Sequence, residues 1–388
     1  MSLLKLSCKI FTSFSVLASI QCQAETNKKV VVGVASNFSQ TAMGGANPFG
    51  DYLRNGVKLS MKVHEKALAK AGIRLELEYY DYGNSQAGVL DTVTKAVSSE
   101  AVAIIGYNYS SQALLAAPIH QKNEIPMLAP IASATRLQTF GPYVHSLCVG
   151  NPGIAKAMSW VNTSYIHAKR AIIISAADCA YCQDLAQTFM KEFKANGGVV
   201  VKKVDVLQEQ VDFSNAWKEV EGMDYDLVVV PNQEITSGRI VSEFLKRGYS
   251  KYFLGGDAWG DLGQGFYSVV GKLKKALKSY SVTHWHAKVN NELSRDFVKN
   301  YWKEFGKPPA ITSAQAYDSM SMLIQILVNS KFQSREEVER GIANLRRFNG
   351  LTGTCSFNNG IISKDLVLLR QTGNEFEFVR TISVAKEK

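Results

Sequence analysis

Beyond residue 25 the first strong signal is a run of consecutive apolar residues, 30–35 (VVVGVA). It is too uniform for a strand with one wet face and too short for a helix. A strand buried on both faces has that signature, and such strands belong to parallel sheets covered by helices. The next apolar positions, Leu53, Val57, Met61 and Leu68, recur at helical spacing, and Gly72 ends that helix. The alternation continues with strands at 75–80, 102–106 and 125–129, separated by helical segments at 91–99 and 110–122. It then restarts. Strands at 170–175, 199–206, 227–230 and 252–255 alternate with helices at 183–195, 215–221 and 238–247. Three helices follow at 290–305, 313–329 and 336–346, and β segments at 351–357, 361–370 and 376–383 close the chain. Two successive βα series of similar size predict an α/β protein with two doubly wound, Rossmann-like lobes, each on a parallel sheet. The tail reads as completing those lobes.

Length and composition agree with this picture. The 388 residues suit two domains, and 46% hydrophobic with 20% charged residues is the balance of an ordinary globular chain. The formal net charge of +10 raises the question of an anionic partner. Lys and Arg are, however, interspersed with Asp and Glu. The densest basic cluster, Lys272, Lys274, Lys275 and Lys278, reads as a solvated face, and no nucleic-acid-binding signature is present. Ahead of the alternating pattern, Lys5 and Lys9 precede an apolar run at 10–20 that is too short to span a bilayer, and QCQA follows. This predicts a signal peptide over 1–24, cut after Ala24, and a chain that works outside the cytoplasm, in the periplasm or an equivalent compartment. A lipid anchor on Cys22 is the weaker reading, because Gln21 stands where a small residue is expected.

Removing the signal takes Cys8 and Cys22 and leaves Cys148, Cys179, Cys182 and Cys355. An even count in an oxidising compartment points to disulfides, with three possible connectivities. Cys179-x-x-Cys182 has neither further zinc ligands nearby nor a thioredoxin-like context. His284 and His286 share a strand face but have no third ligand. No G-x-G-x-x-G, Walker loop, G-x-S-x-G or H-E-x-x-H occurs, so no cofactor, metal or catalytic residue is expected.

Polar residues instead gather where strands give way to helices. Ser110 and Ser111 follow Tyr107-Asn108-Tyr109 at the start of a helix, whose free N–H groups suit a carboxylate. Ala132 and Ser133 follow the fourth strand. In the second series Asp178 and Tyr181, then Asn232 and Gln233, then Asp257 and Trp259 take corresponding places. Ligands of open α/β sheets bind at these carboxyl ends. Asp257 could meet a ligand ammonium, and Trp259 could wall a pocket.

Four segments, IIGYNYSSQALLAAPIHQKNEIPMLAPIASATRL, the 178–181 junction leading to FKANGGVVV, LGGDAW and GLTGTCSFNNG, resemble type I periplasmic solute-binding proteins. The likeness is to the branch that serves branched-chain amino acid and amide ABC transporters, and it covers nearly all of the chain after the signal. It implies a monomer that closes on a small ligand and hands it to an ABC permease. Ser110 and Ser111 would hold the ligand carboxylate. The Ala132 carbonyl, Ser133 and Asp257 would hold its amine, and Phe49 and Tyr181 would close over it. Gln233 stands where an aromatic residue often sits. The resemblance also implies three crossovers, near 146–149, 278–283 and 349–352. The lobes are then 25–147 with 281–350, and 148–280 with 351–388. Cys148 and Cys355 would bridge adjacent crossovers, leaving Cys179 to pair with Cys182. The alternatives are a ligand sensor reporting to a membrane signalling protein and, further off, an exported enzyme.

Overall fold

The computed structural model describes residues 28–39, 48–260, 264–330, 334–358, 361–372 and 375–383. The expected signal segment, with Cys8 and Cys22, lies outside them. The first series builds β1 (Lys28–Ser36), α1 (Pro48–Val63), α2 (Glu65–Lys70), β2 (Ile73–Asp81), α3 (Gln86–Ser98), β3 (Ala101–Gly106), α4 (Ser110–Lys122), β4 (Met127–Ala129) and β5 (Val144–Ser146). The five strands form one parallel sheet in the order β2-β1-β3-β4-β5. The continuous apolar run of β1 is explained by its central place, since residues 30–36 are all buried.

The second series runs α5 (Asn151–Val161), β6 (Arg170–Ala176), α6 (Ala180–Ala195), β7 (Val199–Val206), α7 (Ser214–Lys218), β8 (Leu227–Val229), α8 (Glu234–Lys246), β9 (Tyr252–Gly255), α9 (Gln264–Val270) and β10 (Ser279–Thr283). Its parallel strands are ordered β7-β6-β8-β9-β10, the same winding as the first sheet. The tail adds α10 (Glu292–Phe305), α11 (Ile311–Asn329) and α12 (Arg335–Asn344). A small antiparallel sheet of β11 (Arg347–Gly350), β12 (Gly353–Asn358) and β13 (Ile361–Ser363) follows. Finally β14 (Leu366–Gln371) and β15 (Phe376–Ile382) join the second sheet antiparallel at its β10 edge.

The tail corrects one expectation. The resemblance places residues 351–363 in the second lobe, but Phe348, Cys355, Phe357 and Ile362 pack in one cluster with Val30, Val57 and Leu323 of the first. The chain does not cross at 349–352. It reverses there, with Gly350 paired to Gly353, whose φ of +118° favours glycine. Asp318 secures the reversal by accepting from the Leu351 and Thr352 amides, each at 2.9 Å, and from the Thr352 hydroxyl at 2.6 Å. The passage to the second sheet comes later, at buried Lys364, whose Nζ donates to Gln315 and Thr352.

The cysteines give one confirmation and one correction. Cys179 and Cys182 form a disulfide. Cys148 and Cys355 are free thiols, both buried. Leu147 joins Cys355 in the first lobe's cluster, whereas Cys148 packs beside the Ser146 hydroxyl at 3.6 Å. Burial, reinforced by the Asp257 charge, pushes the Cys148 thiol up to about 12.

Candidate functional site

Both sheets share one winding, so each has a switch point where strand order reverses, between β1 and β3 and between β6 and β8. The carboxyl ends of the strands beside these points face a common cleft. Asn108, Tyr109, Ser110 and Ile131 enter it from the first sheet, with Phe49 from α1 and Ile311 and Thr312 from α11. Tyr181, Gln233, Glu234, Asp257, Ala258, Gly260 and His284 enter from the second. The space between these residues, counted with its open mouth, is about 590 Å³.

On the first side, local backbone sets the geometry. A side chain at Gly106 would meet the Ala35 carbonyl oxygen at 2.1 Å, so glycine lets β3 end against β1. Tyr107 then takes a φ of +58°, unusual for a residue with a Cβ. Its buried hydroxyl meets His120 Nε2 at 3.0 Å, and His120 Nδ1 lies 3.1 Å from the Ile125 carbonyl. A carbonyl only accepts, so Nδ1 carries the proton and Tyr107 donates to Nε2. Burial holds this imidazole neutral, down to about 4. The result is to aim α4 at the cleft. Its N-cap, Tyr109, supplies no side-chain cap, so the opening N–H groups keep their partial positive charge. Ser110 is buried, and its Oγ accepts from the Ala134 amide at 3.2 Å.

On the second side, the chemistry lies in side chains. Asp257 is 8% exposed and accepts from the Tyr181 hydroxyl at 2.8 Å and from His284 Nε2 at 3.0 Å. A carboxylate accepts only, which fixes the His284 proton on Nε2. Burial lowers the His284 pKa against the pull of Asp257, so the ring is neutral at physiological pH. Burial and Asp257 together raise the Tyr181 phenol, which stays a donor. Gly256 makes the triad possible, because a Cβ there would stand 2.5 Å from Tyr181 Oη. Glu234 carries a pKa raised by burial and accepts from the Gly265 amide at 3.0 Å.

The sequence-derived residues divide. Phe49, Ser110, Tyr181, Gln233 and Asp257 line the cleft, with Phe49 edge-on to Tyr109 at 5.9 Å between ring centres. Ser111 instead accepts from the Ala180 amide of the second lobe at 3.4 Å. The Ala132 carbonyl accepts from Ser146 and the Ser133 hydroxyl donates to Asn151, and both residues are buried beside the cleft. Trp259 is a correction. It is fully buried, donates to the Val230 carbonyl at 2.9 Å and packs on Phe266, in space that Gly255 leaves free. Ala258 faces the cleft in its place. Sequence reading weighed His284 only as a metal ligand and missed its place beside Asp257. Among the described residues no cluster of three or more His, Cys, Asp or Glu could hold a metal ion. Thr312 and Ile311 also escaped notice. Their signal was the start of the helix at 313, far along the chain from either series.

The family profile described as periplasmic binding protein matches residues 29–374. The chain belongs to the periplasmic binding protein family. This periplasmic binding protein is thus built to bind a solute, and its two sheets with a cleft between them are the family's type I architecture. A leucine binding protein from Thermotoga maritima is 24% identical, with 91% of this chain and 99% of that one covered at a TM-score of 0.81. A branched-chain amino acid transporter substrate binding protein from Streptococcus pneumoniae, solved with isoleucine, is 20% identical over 92% and 99% at 0.79. An ABC transporter solute binding protein from R. palustris, solved with 4-hydroxybenzoate, is 18% identical over 92% and 97% at 0.80. No curated protein matches the sequence.

Proposed function

We propose that this protein captures an amino acid or a related zwitterion between its lobes and delivers it to an ABC permease from outside the cytoplasm. The observation that carries the reading is the pairing of opposite electrostatic ends in one cleft. The open N-terminus of α4 at Ser110 suits a carboxylate, and buried Asp257 suits an ammonium. Asp257 already accepts two hydrogen bonds, yet its oxygens keep further lone pairs for a charged donor. Phe49 and Tyr181 supply aromatic walls, and Gln233 and Asn108 add polar contacts for a side chain that is not purely aliphatic. Family membership and the transport proteins among the solved relatives support handover to a permease over a sensor role.

A second reading is an aromatic acid, favoured by the Phe49–Tyr109 pair and by the relative solved with 4-hydroxybenzoate. A thermal-shift screen of the purified protein separates the two, because a tight ligand raises the melting temperature by mass action. Amino acids are expected to shift it and hydroxybenzoates to leave it in place. A shift with hydroxybenzoates alone would replace the first reading with the second.

A further inference from the structure

The opening turn of α6 performs two tasks at once. It joins the lobes, because the Ala180 amide donates to Ser111 Oγ and Asp184 Oδ2 accepts from the Thr135 amide and hydroxyl at 2.8 and 2.9 Å. It also walls the cleft, because Tyr181 reaches Asp257. The Cys179–Cys182 disulfide encloses this turn, with Tyr181 inside the ring. The first turn of a helix is otherwise its least secured part, with unpaired N–H groups and no preceding turn to hold it. The only side-chain cap here is a sulfur, Cys179 Sγ accepting from the Cys182 amide at 3.2 Å, and sulfur is a weak acceptor.

We infer that the Cys179–Cys182 disulfide is a positioning element for lobe closure, which shapes the 180–184 turn to meet the first lobe and sets Tyr181 on Asp257. The inference rests on the reading that the lobes close over a solute. Oxidised protein then closes more firmly than protein reduced by a dithiol. In that reduction two electrons and two protons pass to the protein, the S–S bond breaks to two thiols, and the reagent leaves as its cyclic disulfide. Linkage adds a reciprocal effect, since a closed state favoured by the disulfide also protects it. Both cysteines are buried.

Hydrogen exchange on the whole chain, oxidised and dithiol-reduced, tests this without a ligand. The Ala180 amide reports the lobe contact, and the Ala258 amide, which donates to Tyr181 Oη at 3.3 Å, reports the cleft wall. Both are expected to exchange about tenfold faster after reduction, the factor one hydrogen bond commands, with the β6 amides unchanged. Unchanged Ala180 and Ala258 would overturn the inference, and so would equal acceleration in β6, which marks general destabilisation. A C179A/C182A variant repeats the comparison free of reagent and without a new cap. In a second arm, L-glutamine, an amino acid with a polar side chain, and 4-hydroxybenzoate are the probes, and whichever binds should slow the reduction; binding without slowing contradicts the inference. If neither binds, the result counts against the solute reading, and the exchange arm still decides the role of the disulfide.

Discussion

The two rims of the cleft share a winding but not a chemistry. The first rim is a backbone device, in which Gly106, a left-handed Tyr107 and a buried neutral His120 aim the uncapped end of α4. The second is a side-chain device, in which Asp257 holds Tyr181 and His284 in one buried network. A helix end offers a diffuse partial charge with little side-chain selectivity, whereas a buried carboxylate demands a specific partner. The difference implies that the first rim anchors a feature common to many solutes, and that the second decides which solute stays.

Removing the centre of the second rim should have the largest effect. Asp257→Ala takes away the ammonium partner and leaves Tyr181 and His284 unpaired. Calorimetric titration with an amino acid found by the thermal-shift screen should show affinity falling by about 100-fold or more. Unchanged affinity would shift the weight to the first rim.

Acid tests the first rim's foundation. His120 is held down at about 4 in the folded chain, against about 6.5 unfolded, so between those values the unfolded state binds the extra proton. Its contribution is full above pH 6.5 and is lost as pH falls toward 4, by about 3 kcal/mol at most. Denaturant titrations across that window should show stability falling. The fall should be smaller in His120→Asn, a variant less stable at pH 7.

Gly256→Ala sharpens the comparison without removing a polar group. The added methyl would crowd Tyr181 Oη and Leu185, each 2.5 Å from the new Cβ. Displacing Tyr181 from Asp257 should weaken binding about tenfold, and an Asp257→Ala background should erase that loss in a double-mutant cycle. Ser110→Ala is the mildest change. It deletes a hydroxyl that accepts from Ala134 but leaves the α4 N–H groups in place. Affinity should drop only a few-fold, about 1 kcal/mol, by the same titration.

Much of this was legible along the chain. β3, α4, β7 and β9 stand where their apolar runs and punctuation put them, because each is a local pattern with a clear stop. Ser110, Tyr181, Gln233 and Asp257 could be placed in the cleft because strand-to-helix junctions reveal themselves locally. What escaped depended on contacts between distant segments. Short β5 carried too few residues to show a period, and α5 was missed although Ile154, Met158 and Val161 keep helical spacing. Trp259 stands at a strand end, the position of a pocket wall, but Gly255 admits it to the core. The Cys148–Cys355 pairing assumed a crossover where the chain instead turns back at Gly353. His284 lies 27 residues from Asp257, and no spacing announces that they meet.

The central claim is that one cleft reads a carboxylate and an ammonium together. The most direct test is calorimetric titration with a matched trio: an amino acid that stabilises the protein, the same molecule without its amine, and the same molecule without its carboxylate. The account predicts tight binding of the intact amino acid and losses of about 100-fold or more for both truncated forms. Equal or tighter binding of the deaminated acid would contradict it.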